Sequence, residues 1–258
     1  MKLIINADDF GYSPGINRGI LWGFRRGVIT DTSLLINQPF TAEAVQISKD
    51  CPGIPVGLHI NLTRGVPVSN PYDVNSLLDK HGYFKKAGHF LPDSIDAAHV
   101  EKEVLAQLEC FYHAGLEATH LDAHQHIHCY PVVMKAMVKG AKIYGIPVRS
   151  IDQKTRFILN TEKILTPDYF ISDFFSSATI NNLRSVLSSA AAKYPRGVVE
   201  LMTHPGFNDG NPQNSSYYSQ REEELKILCS QDMQAMLQDL QIELVNFFSL
   251  KSSFPKRK

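Results

Sequence analysis

Short runs of β-branched and apolar residues recur along the chain, separated by stretches of helical spacing, and this alternation constrains the fold more than any other feature. Leu3 to Asn6, Ser33 to Ile36, Val56 to Asn61, Thr119 to Asp122, Val148 to Ile151, Tyr169 to Ser172, Val198 to Thr203 and Glu243 to Phe247 read as strands. The clearest helix is predicted from Ser94 to His113. Its apolar face includes Ile95, Val104, Leu105 and Leu108, and Gly115 supplies the stop. A second helix is predicted from Tyr218 to Leu240, with Leu225, Leu228, Met236 and Leu240 facing inward. Strands alternating with helices give a parallel sheet. For 258 residues the predicted fold is α/β: a distorted (β/α) barrel, TIM-barrel-like, with about seven or eight strands. An open doubly wound sheet is the alternative.

No internal repeat or Ser/Gly linker divides the chain, so residues 1–258 are expected to form a single domain. Two irregular stretches, Thr63 to Phe90 and Gly206 to Tyr218, have the length of functional lids. The first carries Tyr72, Tyr83, Phe84 and Phe90, aromatics suited to stacking on a sugar ring, packing on a second subunit as a homodimer, or forming a local mini-core. Lys and Arg number 26, as do Asp and Glu. A chain without net charge has no basic field for nucleic acid. The N-terminal apolar stretch is too short for a signal peptide, and no run of ~18 apolar residues offers a membrane span. A soluble cytoplasmic protein is expected, with Cys51, Cys110, Cys129 and Cys229 as free thiols, since no CxxC pair occurs.

In a barrel of this kind, chemistry sits at the C-terminal ends of strands. The first such end reads Asn6-Ala7-Asp8-Asp9-Phe10-Gly11. Adjacent acids cannot both point inward from a regular strand, and a turn at Phe10-Gly11 is expected to redirect them. Asp9 then either caps the next helix, or the two acids divide metal binding and proton transfer between them. His59 ends a second strand, where a lone histidine is more often a core residue than a ligand. At the end of a third come His120, Asp122, His124, His126 and His128, which would all face one way if the chain were extended throughout. One ion with bonds of ~2.0–2.2 Å cannot collect all five. His124, where the strand opens into its loop, is favoured as ligand, with Asp122 and His126 in support and His128 among the substrate-facing or supporting groups. His204, before Pro205-Gly206, is placed for an acid or base role. Arg149 would contact substrate or make a surface ion pair.

Taken in order, Asn6-Ala-Asp-Asp-Phe-Gly11, Gly57-Leu-His-Ile-Asn-Leu-Thr63, His120-Leu-Asp-Ala-His-Gln-His-Ile-His128 and Thr203-His-Pro-Gly206 resemble the YdjC/ChbG family of carbohydrate deacetylases, which includes chitooligosaccharide deacetylase. The resemblance spans essentially the whole chain. It implies a distorted (β/α) barrel that removes the acetyl group from N-acetylated amino sugars with one bound divalent metal, magnesium or zinc. Matching motif to motif implies Asp9, His59 and His124 as metal ligands, Asp8 as general base, and a catalytic role for His204. Ala123 and Gln125 stand where the family often has Ser and His, a departure that bears on substrate preference.

The chemistry is consistent with this. Amide hydrolysis needs a nucleophile better than free water, which a metal provides by lowering the pKa of bound water from 15.7 to about 7. Two imidazoles and a carboxylate suit zinc, whereas magnesium prefers oxygen. Two other readings compete. An amidohydrolase-type barrel acting on another amide would carry His-x-His on its first strand, where this chain has Asp8-Asp9. A non-catalytic, metal-assisted sugar-binding protein would have no need of Asp8 beside three ligands.

Overall fold

Lys2–Phe10 forms the central strand, β1, and all of it beyond Lys2 is buried. The computed structural model describes residues 1–87, 94–174, 178–210 and 218–252. After β1 the order is α1 (Pro14–Arg26), β2 (Asp31–Leu34), α2 (Thr41–Asp50), β3 (Val56–Ile60), α3 (Ala97–His113), β4 (Leu121–Ala123), α4 (Pro131–Tyr144) and α5 (Gln153–Thr161). There follow β5 (Tyr169–Ile171), α6 (Ile180–Lys193), β6 (Val198–Thr203), α7 (Tyr218–Leu228), α8 (Gln231–Asp239), β7 (Glu243–Leu244) and α9 (Phe248–Ser252). The strands are parallel and lie in the order β4-β3-β2-β1-β6-β5. β6 pairs with β1 from Lys2 to Ala7. β7 pairs with Lys2 and Leu3, and β2 from Asn6 onward, so these two share the other edge of β1. The sheet curves as a half-barrel wrapped by helices, which is the distorted (β/α) barrel predicted.

Several elements differ from expectation, and of the run Glu243 to Phe247 only Glu243–Leu244 pairs as a strand. Val148 to Ile151 is not a strand. β4 ends at Ala123, so only Leu121 is left to bridge Val148, with Arg149 N–H on the Leu121 carbonyl at 2.9 Å. The helix predicted from Tyr218 to Leu240 is two helices, because the Ser230 side chain accepts from Met233 N–H at 3.1 Å and caps α8. The Thr63 excursion does not form a mini-core of its own: Val74, Leu77, Leu78 and Phe84 are buried and join the main core. Tyr72 and Tyr83 point outward, and Phe90 lies outside the described residues. The predicted α3 stands, ending at His113 with Gly115 in the left-handed region at φ 83°.

Strand alternation sorts the side chains. Leu3, Ile5, Ala7, Leu58, Leu121 and Leu201 face the helices and join the main core. Ile4, Val198, Phe247 and Leu250 form a separate apolar plug inside the barrel. Close approach needs glycine at two points. A Cβ on Gly57 would sit 2.3 Å from the His120 ring, and one on Gly19 would sit 2.5 Å from Gly206 Cα. Gly19 thereby lets the segment after β6 lie directly on α1.

Candidate active site

β1 breaks its regular pairing between Ala7 and Phe10, and Asp9 takes φ 72°. This bulge, one residue before the expected Phe10-Gly11 turn, lets both acids face the barrel mouth. Asp tolerates the left-handed region better than most side chains. Asp8 is buried and held at both oxygens by Arg149, with Nη1 donating to Oδ2 and Nη2 to Oδ1 at 2.7 Å each. Asn6 Nδ2 adds a third hydrogen bond to Oδ1 at 2.7 Å. Burial works against the Asp8 anion, but the Arg149 guanidinium outweighs it and holds the carboxyl well below the usual range.

Arg149 is neither a surface ion pair nor open to a ligand from solvent: it is fully buried. Besides Asp8 it meets Asp122 at 2.9 Å and Glu200 at 2.7 Å. One guanidinium among three carboxyls cannot neutralise all of them, and burial leaves Glu200 pushed up to about 8. Asp122 also accepts from Ser33 Oγ at 2.9 Å and from His59 Nδ1 at 2.8 Å. That bond commits His59 Nδ1 as a donor and turns Nε2 toward the mouth. Burial disfavours the His59 cation, yet Asp122, Asp8 and Asp9 lift it to about 9. The surroundings thus call for positive charge at this ring.

His59 Nε2 lies 3.7 Å from Asp9 Oδ1, and His124 Nε2 lies 4.0 Å from the same oxygen. The two rings meet edge-on at 5.8 Å. His124 Nδ1 is 2.7 Å from Thr63 Oγ1, and burial lowers its pKa to about 4, the neutral form that ligates metals. Asp9 Oδ2 accepts from Arg221 at 2.5 Å, while Oδ1 is buried with no hydrogen-bond partner among the described residues. Two bonds of ~2.0–2.2 Å can span the 3.7 and 4.0 Å gaps. An orphaned carboxylate oxygen facing two imidazole nitrogens is the donor chemistry that a divalent cation takes. Among the described residues, the group whose ligand atoms all fall within 4.8 Å of one another and could hold a metal is the buried Asp-His-Asp set of Asp8, His59 and Asp122. In that group, however, Arg149 already occupies both oxygens of Asp8 and reaches Asp122.

The histidine run does not stay extended. After β4 the chain enters a tight turn from His124 to Cys129, with Gln125 and His126 both left-handed at φ 55° and 54°. His126 lies edge-on to Phe170 at 5.5 Å. His128 is fully buried, with no hydrogen-bond partner for either nitrogen among the described residues. His120 faces down the barrel, stacked on Phe247 at 3.8 Å. His204 directly follows β6, its N–H donating to Glu224 Oε2 at 2.6 Å, and burial lowers its imidazole to about 4.

Sequence reasoning missed Asn6, Ser33, Glu200, Arg221 and Glu224. The last two had a readable signal: Arg221, Glu224, Leu225 and Leu228 share one helical face.

Residues 2–239 match a family model described as YdjC-like protein. A carbohydrate deacetylase of Brevibacillus brevis is 40% identical over 256 residues, covering 97% of this chain and all of that one. A carbohydrate deacetylase of Thermoanaerobacter pseudethanolicus is 37% identical, covering 96% and 99%. Among solved structures, a putative cellobiose-phosphate cleavage protein of Enterococcus faecalis superposes with a TM-score of 0.90 at 31% identity, covering 96% of this chain and 98% of that one.

Proposed function

The chain belongs to the YdjC-like family, and from that premise we propose that it is a metal-dependent carbohydrate deacetylase. It hydrolyses the N-acetyl group of amino sugars such as chitooligosaccharides. One observation carries the reading: the orphaned Oδ1 of Asp9 faces the Nε2 atoms of His59 and His124, beside an Asp8 carboxylate that Arg149 grips at both oxygens. Asp9, His59 and His124 would hold the ion, and this donor set favours zinc over magnesium. When bound, the ion supplies Lewis acidity and makes water a nucleophile near neutral pH.

The protein's own groups do the rest. Asp122 fixes the His59 ring so that Nε2 faces the ion site. Asp8, kept ionised by Arg149, accepts the proton of the attacking water. The water oxygen joins the acetyl carbon, the C–N bond breaks, and the amine leaves with a proton. His204 is the group proposed to deliver that proton. It rests neutral, so it must be protonated before it can act as an acid.

Acetate release from diacetylchitobiose, with and without chelator, tests the reading. Metal-dependent release is expected. No acetate from any N-acetylated sugar would overturn it and favour the sugar-binding alternative. His204→Ala is expected to slow turnover with normal metal content, and nearly full turnover would move the acid role elsewhere.

A further inference from the structure

Two charged residues of α7 are buried beside the site without a part in the reaction above. Arg221 is 8% exposed and Glu224 is fully buried. They are three residues apart and so are neighbours on the helix surface. Arg221 donates from Nη2 to Asp9 Oδ2 at 2.5 Å and from Nη1 to the His204 carbonyl at 3.4 Å. Glu224 Oε2 accepts the His204 N–H at 2.6 Å. A single turn of α7 therefore grips a side chain at the end of β1 and the main chain at the end of β6. Those strand ends are themselves neighbours, with Ala7 registered against Thr203.

Burying a guanidinium and a carboxyl is costly, and an apolar pair would fill the same space more cheaply. What an apolar pair could not do is choose between the oxygens of Asp9. Arg221 engages Oδ2 and leaves Oδ1 turned toward His59 and His124. Asp9 needs that help, because it sits on a bulge rather than in a regular ladder. His204 is also at a strand end, followed by Pro205, which has no N–H to anchor the chain. Glu224 anchors the preceding N–H instead.

We propose that Arg221 and Glu224 are positioning residues: Arg221 sets the metal-binding oxygen of Asp9, and Glu224 sets the place of His204. This rests on Asp9, His59 and His124 being the metal ligands. A merely structural pair would change thermal stability and nothing else.

The test uses the full chain stripped of metal, with zinc affinity measured by competition against a chromophoric chelator and Tm recorded without metal. Arg221→Ala is expected to weaken zinc binding about 10- to 100-fold, the usual scale for removing a group that orients a ligand. Added guanidinium should restore part of that loss. If Arg221→Ala does not fold, Arg221→Lys, which keeps the charge but loses the planar fork, is expected to bind zinc more weakly than wild type. Glu224→Ala is expected to lower kcat about tenfold with KM little changed, and Glu224→Gln, which keeps an acceptor, to recover most of it. Wild-type zinc affinity in the Arg221 variants, or a lower Tm with unchanged affinity and kcat, would overturn the inference while leaving the ligand assignment intact. A wild-type chain that binds no zinc and no magnesium would overturn both.

Discussion

Toward the helices β1 presents Leu3, Ile5 and Ala7, all in the main core. Toward the barrel interior the same strand presents Asn6 and Asp8 above the single apolar layer that contains Ile4. β3 repeats the contrast with Leu58 outside and His59 inside. The outer face stabilises by burying apolar area, and its side chains need only fit. The inner face gains nothing from burial as such. Each of its charges is tolerable only because another group answers it, so Arg149 is to the interior what the leucines are to the exterior.

The sharpest way to break this comparison is to remove that answer. Arg149→Met, isolating Asp8 and Asp122, is expected to lose about 3–5 kcal/mol in denaturant unfolding, and a neutral or stabilising result would mean that the interior tolerates unpaired charge. Leu58→Ala, next to His59 but on the other face, is expected to lose about 2–5 kcal/mol while the folded fraction still binds zinc. Asp8→Asn adds a chemical loss to a structural one: kcat is expected to fall at least ~10²-fold with metal retained, and the melting temperature to drop because Arg149 loses a carboxylate that it grips at both oxygens. Retained activity would reject Asp8 as base.

The smallest effect is expected at Glu200. Burial lifts its carboxyl from 4.5 to about 8, so between those values the folded chain holds a proton that the unfolded chain has lost. Stability therefore falls as pH rises through this window. Glu200→Gln mimics the protonated form, and should stay within about 1 kcal/mol of wild type near pH 5. The variant's relative stability should then improve toward pH 8. A constant difference would mean that Glu200 is ionised throughout.

Much of this was legible in the chain. β6 has the boundaries Val198–Thr203 that its apolar run suggests, because a strand buried on both sides leaves a continuous signal. The histidine run was only partly legible as structure. The strand read from Thr119 to Asp122 does open into a loop at His124, since β4 ends at Ala123, yet nothing in Gln125 or His126 announces two successive left-handed residues. Arg149 was visible as a candidate but not as a hub, since its partners are Asp8, Asp122 and Glu200, up to 141 residues away. Distant pairing of this sort leaves no local pattern. Arg221 and Glu224 could have been found, because they share a helical face with Leu225 and Leu228, and charges beside inward leucines ask to be paired.

The backbone at Asp9 restricts more than its chemistry does. At φ 72° most side chains crowd their own main chain, and Gly, Asn and Asp settle there most readily. A saturation library screened for folding alone would already return a shortened alphabet at this codon, and selection for zinc would then choose among the few letters left.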